Sequence, residues 1–196
     1  KSKKFTSLYE AKNLAIKKAK GKYIGFIDTD DWWLKKKLCK QIDLIKKNNK
    51  INFIYSNLYH YDQKTKKTKL HFNYKMPNGK ITQNLLNDYN VGILSVLMNR
   101  KFFLKNNFNQ NYNIIGDFDF FLNLSIKENF HCIQKPLAYY RIHENNYSKR
   151  VKVYSDELGN WLKINSKKFK KMQYSLNNIR YYFYKLKLKQ FLGWGL

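Results

Sequence analysis

The sequence predicts an α/β protein in which helices pack on a layered sheet. Near its start the pattern alternates between a helix at residues 7–20, a strand at 23–27, a second helix that ends at 48–49 and a second strand at 51–55. Helices and strands in this alternating order are typical of such sheets. With 196 residues and 43% hydrophobic content, the chain can form one core without disulfide bonds.

Specific start and stop signals support the elements of the first half. Ser7 and Glu10 form a capping-box pattern at the start of the first helix, and Gly21 follows that helix as a C-terminal stop. The segment 23–27 is a nearly continuous apolar run, which favours a strand buried on both faces. The second helix is amphipathic, with apolar residues at helical spacing: Leu34, Leu38, Ile42 and Ile45.

The second half of the chain predicts further elements of the same sheet. Residues 58–80 are polar and rich in lysine, which indicates a hairpin or a mobile surface loop. The apolar stretch 91–98 is predicted to be a central strand, and a helix with Asp117 in its first turn follows. Residues 133–140 are predicted to form an edge strand, because Pro136 cannot donate a ladder hydrogen bond.

The chain divides by composition into a sheet domain at 1–150 and a basic amphipathic helical segment at 151–196. One interpretation of this segment is a helix packed on the domain or on a neighbour. The other is a helix lying on an anionic membrane surface. Both interpretations rest on an apolar stripe at helical spacing, and Trp194 lies near the end of the segment. The residues of the stripe are Phe169, Met172, Leu176, Ile179, Phe183 and Leu186.

The net charge of +26 is compatible with nucleic acid, an anionic membrane or phosphorylated substrates as partners. However, the cations are 35 lysines and only 4 arginines, whereas base and phosphate recognition favours arginine. Much of the charge therefore reflects compositional drift, and we predict no nucleic-acid partner. Two distant cysteines and the absence of an apolar run of ~20 residues indicate a cytoplasmic chain without a membrane span.

An acidic cluster follows the strand at 23–27. Asp28, Asp30 and Asp31 are three of only nine aspartates in this basic chain. Carboxylates this close repel each other unless a cation or hydrogen-bond donors compensate them. Because the carboxyl end of a strand is where α/β sheets usually bind ligands, the cluster predicts a site for a divalent metal and phosphate.

Two later segments carry the other candidate residues. Asp117 can be a helix cap, or it can be an exposed carboxylate able to accept a proton. In the loop after the strand at 133–140, Arg141 can hold a phosphate and His143 can complete a metal shell.

Three motifs in this order resemble glycosyltransferase family 2, whose members have the GT-A fold, a Rossmann-like mixed sheet flanked by helices. Residues 11–31 resemble the helix and strand that lead into the DXD motif of the family. Residues 116–119 resemble its "ED" segment, and residues 141–148 resemble its R-x-H…S segment. The resemblance extends from residue 11 to residue 148.

The resemblance implies a role for each candidate residue. Asp30 would coordinate Mn²⁺ or Mg²⁺ bridging the diphosphate of the donor, with His143 as a further metal ligand. Asp28 would support the metal or the donor ribose, Lys12 and Arg141 would contact the donor, and Asp31 would be a supporting or capping residue. Asp117 would deprotonate the acceptor hydroxyl, so that one in-line displacement inverts the sugar carbon.

The sequence also departs from the family pattern. Lys12 stands where the family usually has arginine, and Gly116 replaces the acid of the "ED" pair. The family begins with a strand, helix and strand that carry nucleotide-base contacts, and this sequence starts after them. The resemblance therefore implies a domain that lacks its first βαβ portion, with weak donor binding and an exposed sheet edge if nothing precedes Lys1.

The resulting hypothesis is an inverting, metal-dependent transferase that uses a nucleotide sugar, with UDP as the expected nucleotide. The acceptor would be a glycan or a lipid-linked molecule of cell-surface polysaccharide synthesis, reached from the cytoplasm or from the inner face of the membrane. The alternatives are a basic module that binds nucleic acid or membrane by charge alone, and an inactive transferase fragment.

Overall fold

The structure, a computed structural model, describes residue 5 and residues 7–193. Residues 1–4 and Trp194 lie outside the described residues. The helices are α1 (Leu8–Lys18), α2 (Lys37–Lys47), α3 (Thr82–Asn87), α4 (Lys101–Lys105), α5 (Gly116–Ser125), α6 (Val151–Lys171) and α7 (Asn177–Phe191). The strands are β1 (Tyr23–Gly25), β2 (Trp32–Trp33), β3 (Phe53–Asp62), β4 (Thr68–Leu70), β5 (Leu97–Asn99) and β6 (His131–Ile142).

The strands of the described residues form one mixed sheet in the order β1-β5-β3-β6-β2, with β4 also paired to β3. On one side, β3 runs parallel to β6. On the other side it pairs antiparallel with β5 through its first residues and with β4 through residues 59–61. This arrangement confirms the predicted α/β class, a mixed sheet flanked by helices.

The early elements agree with the sequence prediction in type, but the first helix ends at Lys18, before Gly21, and β1 is an edge strand rather than one buried on both faces. The Ser7 hydroxyl accepts a hydrogen bond of 3.1 Å from the Glu10 N–H, as a capped helix start requires. The strand predicted at 23–27 is confirmed for its first three residues, which pair with β5. The hairpin alternative for residues 58–80 is also confirmed, because β3 turns back into β4 there.

The predicted central strand at 91–98 is wrong for most of its length. A 3-10 turn occupies Ile93–Ser95, and only β5 at its end joins the sheet. Ser95 stabilises the turn, since its N–H and its hydroxyl both donate to the Gly92 carbonyl, at 2.9 and 2.7 Å. The local hydrogen bonds of a serine therefore outweigh the strand preference of the apolar neighbours.

The prediction of an edge strand at 133–140 is also wrong. β6 lies inside the sheet between β3 and β2. Pro136 is tolerated there because its pairing with Asn57 falls where the register shifts on both sides. A bulge of this kind removes the need for a donor at the proline.

Aromatic packing holds α5 against the sheet. The ring centroids of Phe53 on β3 and Phe130 are 3.7 Å apart in a stacked pair, and Phe121 of α5 meets Phe53 edge to face at 5.3 Å. All three side chains are fully buried. Because edge-to-face and stacked pairs fix ring orientation, this cluster fixes the position of α5 and of Asp117 at its start.

The stripe of the C-terminal segment lies on two helices rather than one. The chain turns between α6 and α7, where Gln173 has a φ of 62°. Phe169, Leu176, Ile179 and Leu186 are buried in the same core cluster as the sheet residues, which confirms the interpretation of a stripe packed on the domain. Within the described residues, no helix has the length and apolar character needed to cross a membrane.

Candidate active site

Most of the predicted site residues line one cleft of about 470 Å³, here called the aspartate cleft. Its walls come from α1, the loop after β1, the start of α5 and the loop after β6. A second cleft of about 680 Å³, the arginine cleft, contains Arg141 and His143. The two clefts share Asp30 and Asn145. The predicted residues in the aspartate cleft are Lys12, Asp28, Asp30 and Asp117.

Asp28 forms an ion pair with Lys12 of α1. The Lys12 Nζ lies 3.1 Å from the Asp28 Oδ1, and the side chains are 12% and 39% exposed, respectively. The pair ties the loop after β1 to α1. Because the carboxylate is the more exposed partner, it remains accessible to a ligand entering the aspartate cleft.

Asp30 and His143 meet across the site, although 113 residues separate them in the chain. The Asp30 Oδ2 lies 2.7 Å from the His143 Nε2. A carboxylate oxygen and an imidazole nitrogen are both ligands that Mn²⁺ accepts. The described residues contain no group of three acidic, histidine or cysteine side chains placed for a metal. In the structure the two atoms share one hydrogen bond, and two side-chain ligands would leave the other positions of a bound metal to water and phosphate oxygens.

Asp31 connects two segments of the site by a hydrogen bond. Its Oδ1 accepts a 2.9 Å hydrogen bond from the Arg141 N–H, which connects the loop after β1 to β6. Burial, opposed by this hydrogen bond, raises the pKa of the Asp31 carboxyl to about 7. This position agrees with a supporting role rather than a ligand role.

Arg141 lines the arginine cleft. Its guanidinium lies over the Trp32 ring, 5.3 Å from the centroid, and Trp32 in turn stacks on Tyr139 at 4.8 Å. The buried Arg141 Nε has no hydrogen-bond partner among the described residues. An arginine that is oriented by an aromatic ring and lines an open cleft is suited to a phosphate group.

Asp117 stands at the start of α5 and faces the aspartate cleft. Its Oδ1 accepts hydrogen bonds from the Phe118 N–H at 2.8 Å and from the Tyr9 hydroxyl at 3.2 Å. Burial raises the pKa of the Asp117 carboxyl, and the hydrogen bond from Tyr9 acts in the opposite direction. A carboxylate with a raised pKa is a better proton acceptor than an ordinary aspartate.

Tyr9 is a site residue that the sequence interpretation missed. Its hydroxyl lies 3.2 Å from the Asp117 Oδ1 and 3.1 Å from the Ile114 carbonyl oxygen, so its single proton has two acceptors. Tyr9 also explains the departure at position 116. A Cβ on Gly116 would lie 2.5 Å from the Tyr9 ring, so the ring excludes the acid that the family pattern expects there.

Glu157 of α6 is the second missed residue. Its carboxylate accepts hydrogen bonds from three successive backbone N–H groups, those of Asn113, Ile114 and Ile115, at 2.6, 2.9 and 3.1 Å. These groups immediately precede α5, so Glu157 fixes the turn that presents Asp117. As one of only four glutamates in a basic chain, it was the signal in the sequence for such a role.

Asn146 organises the loop after β6. Its Oδ1 accepts from the His143 N–H at 2.6 Å, and its Nδ2 donates to the Arg141 carbonyl at 3.0 Å. Asp119 is placed differently: its Oδ1 accepts from the Trp161 Nε1 at 2.9 Å, and it does not line either cleft. Of the two aspartates in the second acidic segment, Asp117 therefore lines the aspartate cleft and Asp119 contacts α6.

Comparison with known proteins places the chain in a family. The model of glycosyl transferase family 2 matches residues 2–113, which include Lys12, Asp28 and Asp30. The UDP-Glc:alpha-D-GlcNAc-diphosphoundecaprenol beta-1,3-glucosyltransferase WfgD of Escherichia coli is 33% identical over 162 residues, covering 78% of this chain and 60% of that protein. An uncharacterized glycosyltransferase of Methanocaldococcus jannaschii is 27% identical over 144 residues, covering 72% and 50%.

The fold has solved counterparts. The crystal structure of S. aureus TarS 1-349 in complex with UDP-GlcNAc matches with a TM-score of 0.58 and 12% identity, over 83% of this chain and 49% of that one. At this identity the likeness concerns the fold, and it agrees with the predicted GT-A sheet. The chain spans 60% of the E. coli relative and 50% of the M. jannaschii relative. The family model covers the first of the three motifs and more than half of the chain, and it shows that the chain belongs to glycosyl transferase family 2.

Proposed function

We propose that this chain is the part of an inverting glycosyltransferase that holds the donor diphosphate and the catalytic base. The 2.7 Å contact between Asp30 and His143, at the junction of the two clefts, is the observation that carries the proposal. It brings together side chains from two of the three motifs, and Asp117 from the third lines the same aspartate cleft.

The residues divide between binding and proton transfer. Asp30 and His143 would hold Mn²⁺ or Mg²⁺, which supplies positive charge to the leaving diphosphate when it is bound. Arg141 would donate to a phosphate oxygen from the arginine cleft, and Asp28, with Lys12, would contact the donor. Asp117 would accept the proton of the acceptor hydroxyl as the oxygen attacks the sugar carbon, so one displacement inverts that carbon.

The substrate classes follow from the relatives. The E. coli relative is named for a UDP-glucose donor and a diphosphoundecaprenol acceptor, and the TarS structure contains UDP-GlcNAc. We therefore propose a UDP-sugar as the donor and a lipid-linked glycan of cell-surface polysaccharide synthesis as the acceptor, with transfer at the cytoplasmic face of the membrane. In this proposal residues 1–150 carry the substrate site, and residues 151–196 support it through α6.

The test of donor binding separates phosphate contacts from base contacts. In the full-length protein with Mn²⁺, we expect Arg141→Gln to weaken UDP binding by about tenfold or more, because a charge-assisted hydrogen bond to phosphate is lost. Uridine has no phosphate, so its binding should not change. Isothermal titration of both ligands measures the difference.

Arg150→Gln is the matched control. The Arg150 guanidinium also lies over an aromatic ring, that of Tyr147, at 4.2 Å, but Arg150 does not line either cleft. An equal loss of UDP affinity in both variants would show a general effect of charge and would contradict the assigned contact.

Tyr9 gives a second prediction, on the pH dependence of transfer. Its hydroxyl donates to the Asp117 carboxylate and thereby favours the charged form, so Tyr9→Phe should raise the Asp117 pKa further. Activity requires the ionised base. As the pH falls, the variant should therefore lose activity at a higher pH than the parent protein does. We expect the acidic limb of the pH–rate profile to move up by about half to one pH unit, with near-normal turnover on the alkaline side.

Tyr112→Phe controls for the loss of a buried tyrosine hydroxyl, since Tyr112 is buried but does not line the aspartate cleft. If the limb stays in place in Tyr9→Phe, or moves equally in both variants, then Tyr9 does not act on the base.

A further inference from the structure

The outer face of α7 carries a second apolar stripe, distinct from the one buried in the core. Its residues follow steps of three and four, so they share one side of the helix. They are strongly exposed, whereas Ile179 and Leu186 on the opposite side are buried. The members of this outer stripe are Tyr181 (71% exposed), Tyr184 (67%), Leu188 (58%) and Phe191 (87%).

The inner face of α7 packs against α6. Phe183 packs closely over Gly159, where an added Cβ would lie 2.9 Å from its ring. Tyr182 meets Tyr154 edge to face at 5.6 Å, and the Lys187 Nζ lies 3.1 Å from the Asp156 Oδ1. These contacts fix the rotation of α7, so the outer stripe is held away from the core.

Cations border the outer stripe on both sides, and α7 contains no acidic residue. At 100° per residue, Arg180 falls on one side of the stripe, together with Lys187, which is paired with Asp156, and Lys185 and Lys189 fall on the other. A helix with an apolar aromatic face between two rows of cations matches the surface of an anionic lipid bilayer, because the rings enter the interface while the cations meet the headgroups.

We propose that α7 lies in the plane of an anionic membrane and docks the protein there through the outer stripe. The helix has 15 residues, or about 22 Å, which is long enough for surface contact and too short to span the hydrocarbon. Tyrosine is also the residue type that favours the boundary between water and lipid. The proposal deepens the proposed function, on which it rests for the lipid-linked acceptor.

A second copy of the chain fits this surface less well. Two outer stripes in contact would bring their bordering cations together without an acidic residue of α7 to pair with them. Like charges facing each other across an interface oppose association. Charge complementarity therefore favours anionic lipid as the occupant.

Sedimentation with vesicles tests the proposal without any donor or acceptor, so its failure leaves the transfer reaction untouched. We expect the full-length protein to bind vesicles of phosphatidylcholine with phosphatidylglycerol more strongly than vesicles of phosphatidylcholine alone. Leu188→Ser with Phe191→Ser should lower the partition coefficient on the anionic vesicles by at least about tenfold, because two exposed apolar side chains are lost. Both side chains are exposed, and unchanged circular dichroism would verify the fold.

Leu104→Ser is the matched control, since Leu104 is 63% exposed but lies on α4. It should bind like the parent protein. Binding that is unchanged in the Leu188 and Phe191 variant would show that charge alone attracts the chain and would overturn the proposal. A second result would also overturn the proposal. If the parent protein does not bind vesicles but self-associates in sedimentation velocity, and the Leu188 and Phe191 variant does not self-associate, then the outer stripe binds a second copy of the chain.

Discussion

Asp117→Asn is expected to stop sugar transfer while leaving the binding of the nucleotide sugar unchanged. The amide keeps the shape of the side chain, and its oxygen can still accept from the Phe118 N–H and from the Tyr9 hydroxyl. It cannot accept the acceptor's proton, and general bases contribute about 10²- to 10⁴-fold to turnover. A transfer assay at saturating donor, with calorimetric binding of the donor, measures both quantities.

Asp119→Asn is the control on the same helix. Asp119 bonds to Trp161 of α6 rather than facing either cleft, and an asparagine oxygen can replace that acceptor. It should turn over nearly as fast as the parent protein. Near-normal turnover in Asp117→Asn would remove Asp117 as the base, and an equal loss in both variants would indicate a structural effect of α5.

Asp30→Ala is expected to abolish the dependence of donor binding on a divalent cation. In the parent protein, removing the cation with EDTA should weaken binding of the nucleotide sugar by at least about tenfold, the loss typical of disturbed metal sites. In the variant, affinity should already be low and EDTA should have no further effect. His143→Ala should behave in the same way, and the double variant should be no weaker than either single one, because both residues act through one contact.

Asp43→Ala controls for the loss of one negative charge, because Asp43 is exposed on α2 and does not line either cleft. It should retain the response to EDTA. Unchanged transfer and an unchanged cation response in Asp30→Ala would contradict the metal assignment and would favour a donor site that uses Lys12 and Arg141 alone.

The sequence predicted correctly those parts of the fold that depend on residues close together in the chain. The capping box at Ser7, the apolar run after Gly21 and the acidic cluster after β1 depend on neighbours a few residues away, and the structure has all three. The three motifs also placed the predicted residues around two adjoining clefts. Their roles stay predictions until the variants above are measured.

The sequence predictions were wrong or incomplete where the structure depends on a contact with a residue far away in the chain. Pro136 lies in the sheet interior because the register with Asn57 shifts around it, and the sequence of β6 alone does not contain that register. Tyr9 looked like an ordinary position in the first helix, yet it contacts Asp117 across 108 residues. The sequence left two interpretations open for the C-terminal stripe, and its period did not reveal the turn at Gln173 that divides it.

The contact between Tyr9 and Gly116 couples two positions that are distant in the sequence, so a substitution at one limits which residues fit at the other. The tyrosine ring and any side chain at 116 compete for the same space. Restoring the acid of the family pattern would therefore require trimming the tyrosine in the same step. The Tyr9 side chain therefore gives the carboxylate of Asp117 a hydrogen-bond donor and leaves no room for a second carboxylate at position 116. A side chain added at 116 alone would overpack this contact, and a smaller residue at position 9 alone would leave a cavity.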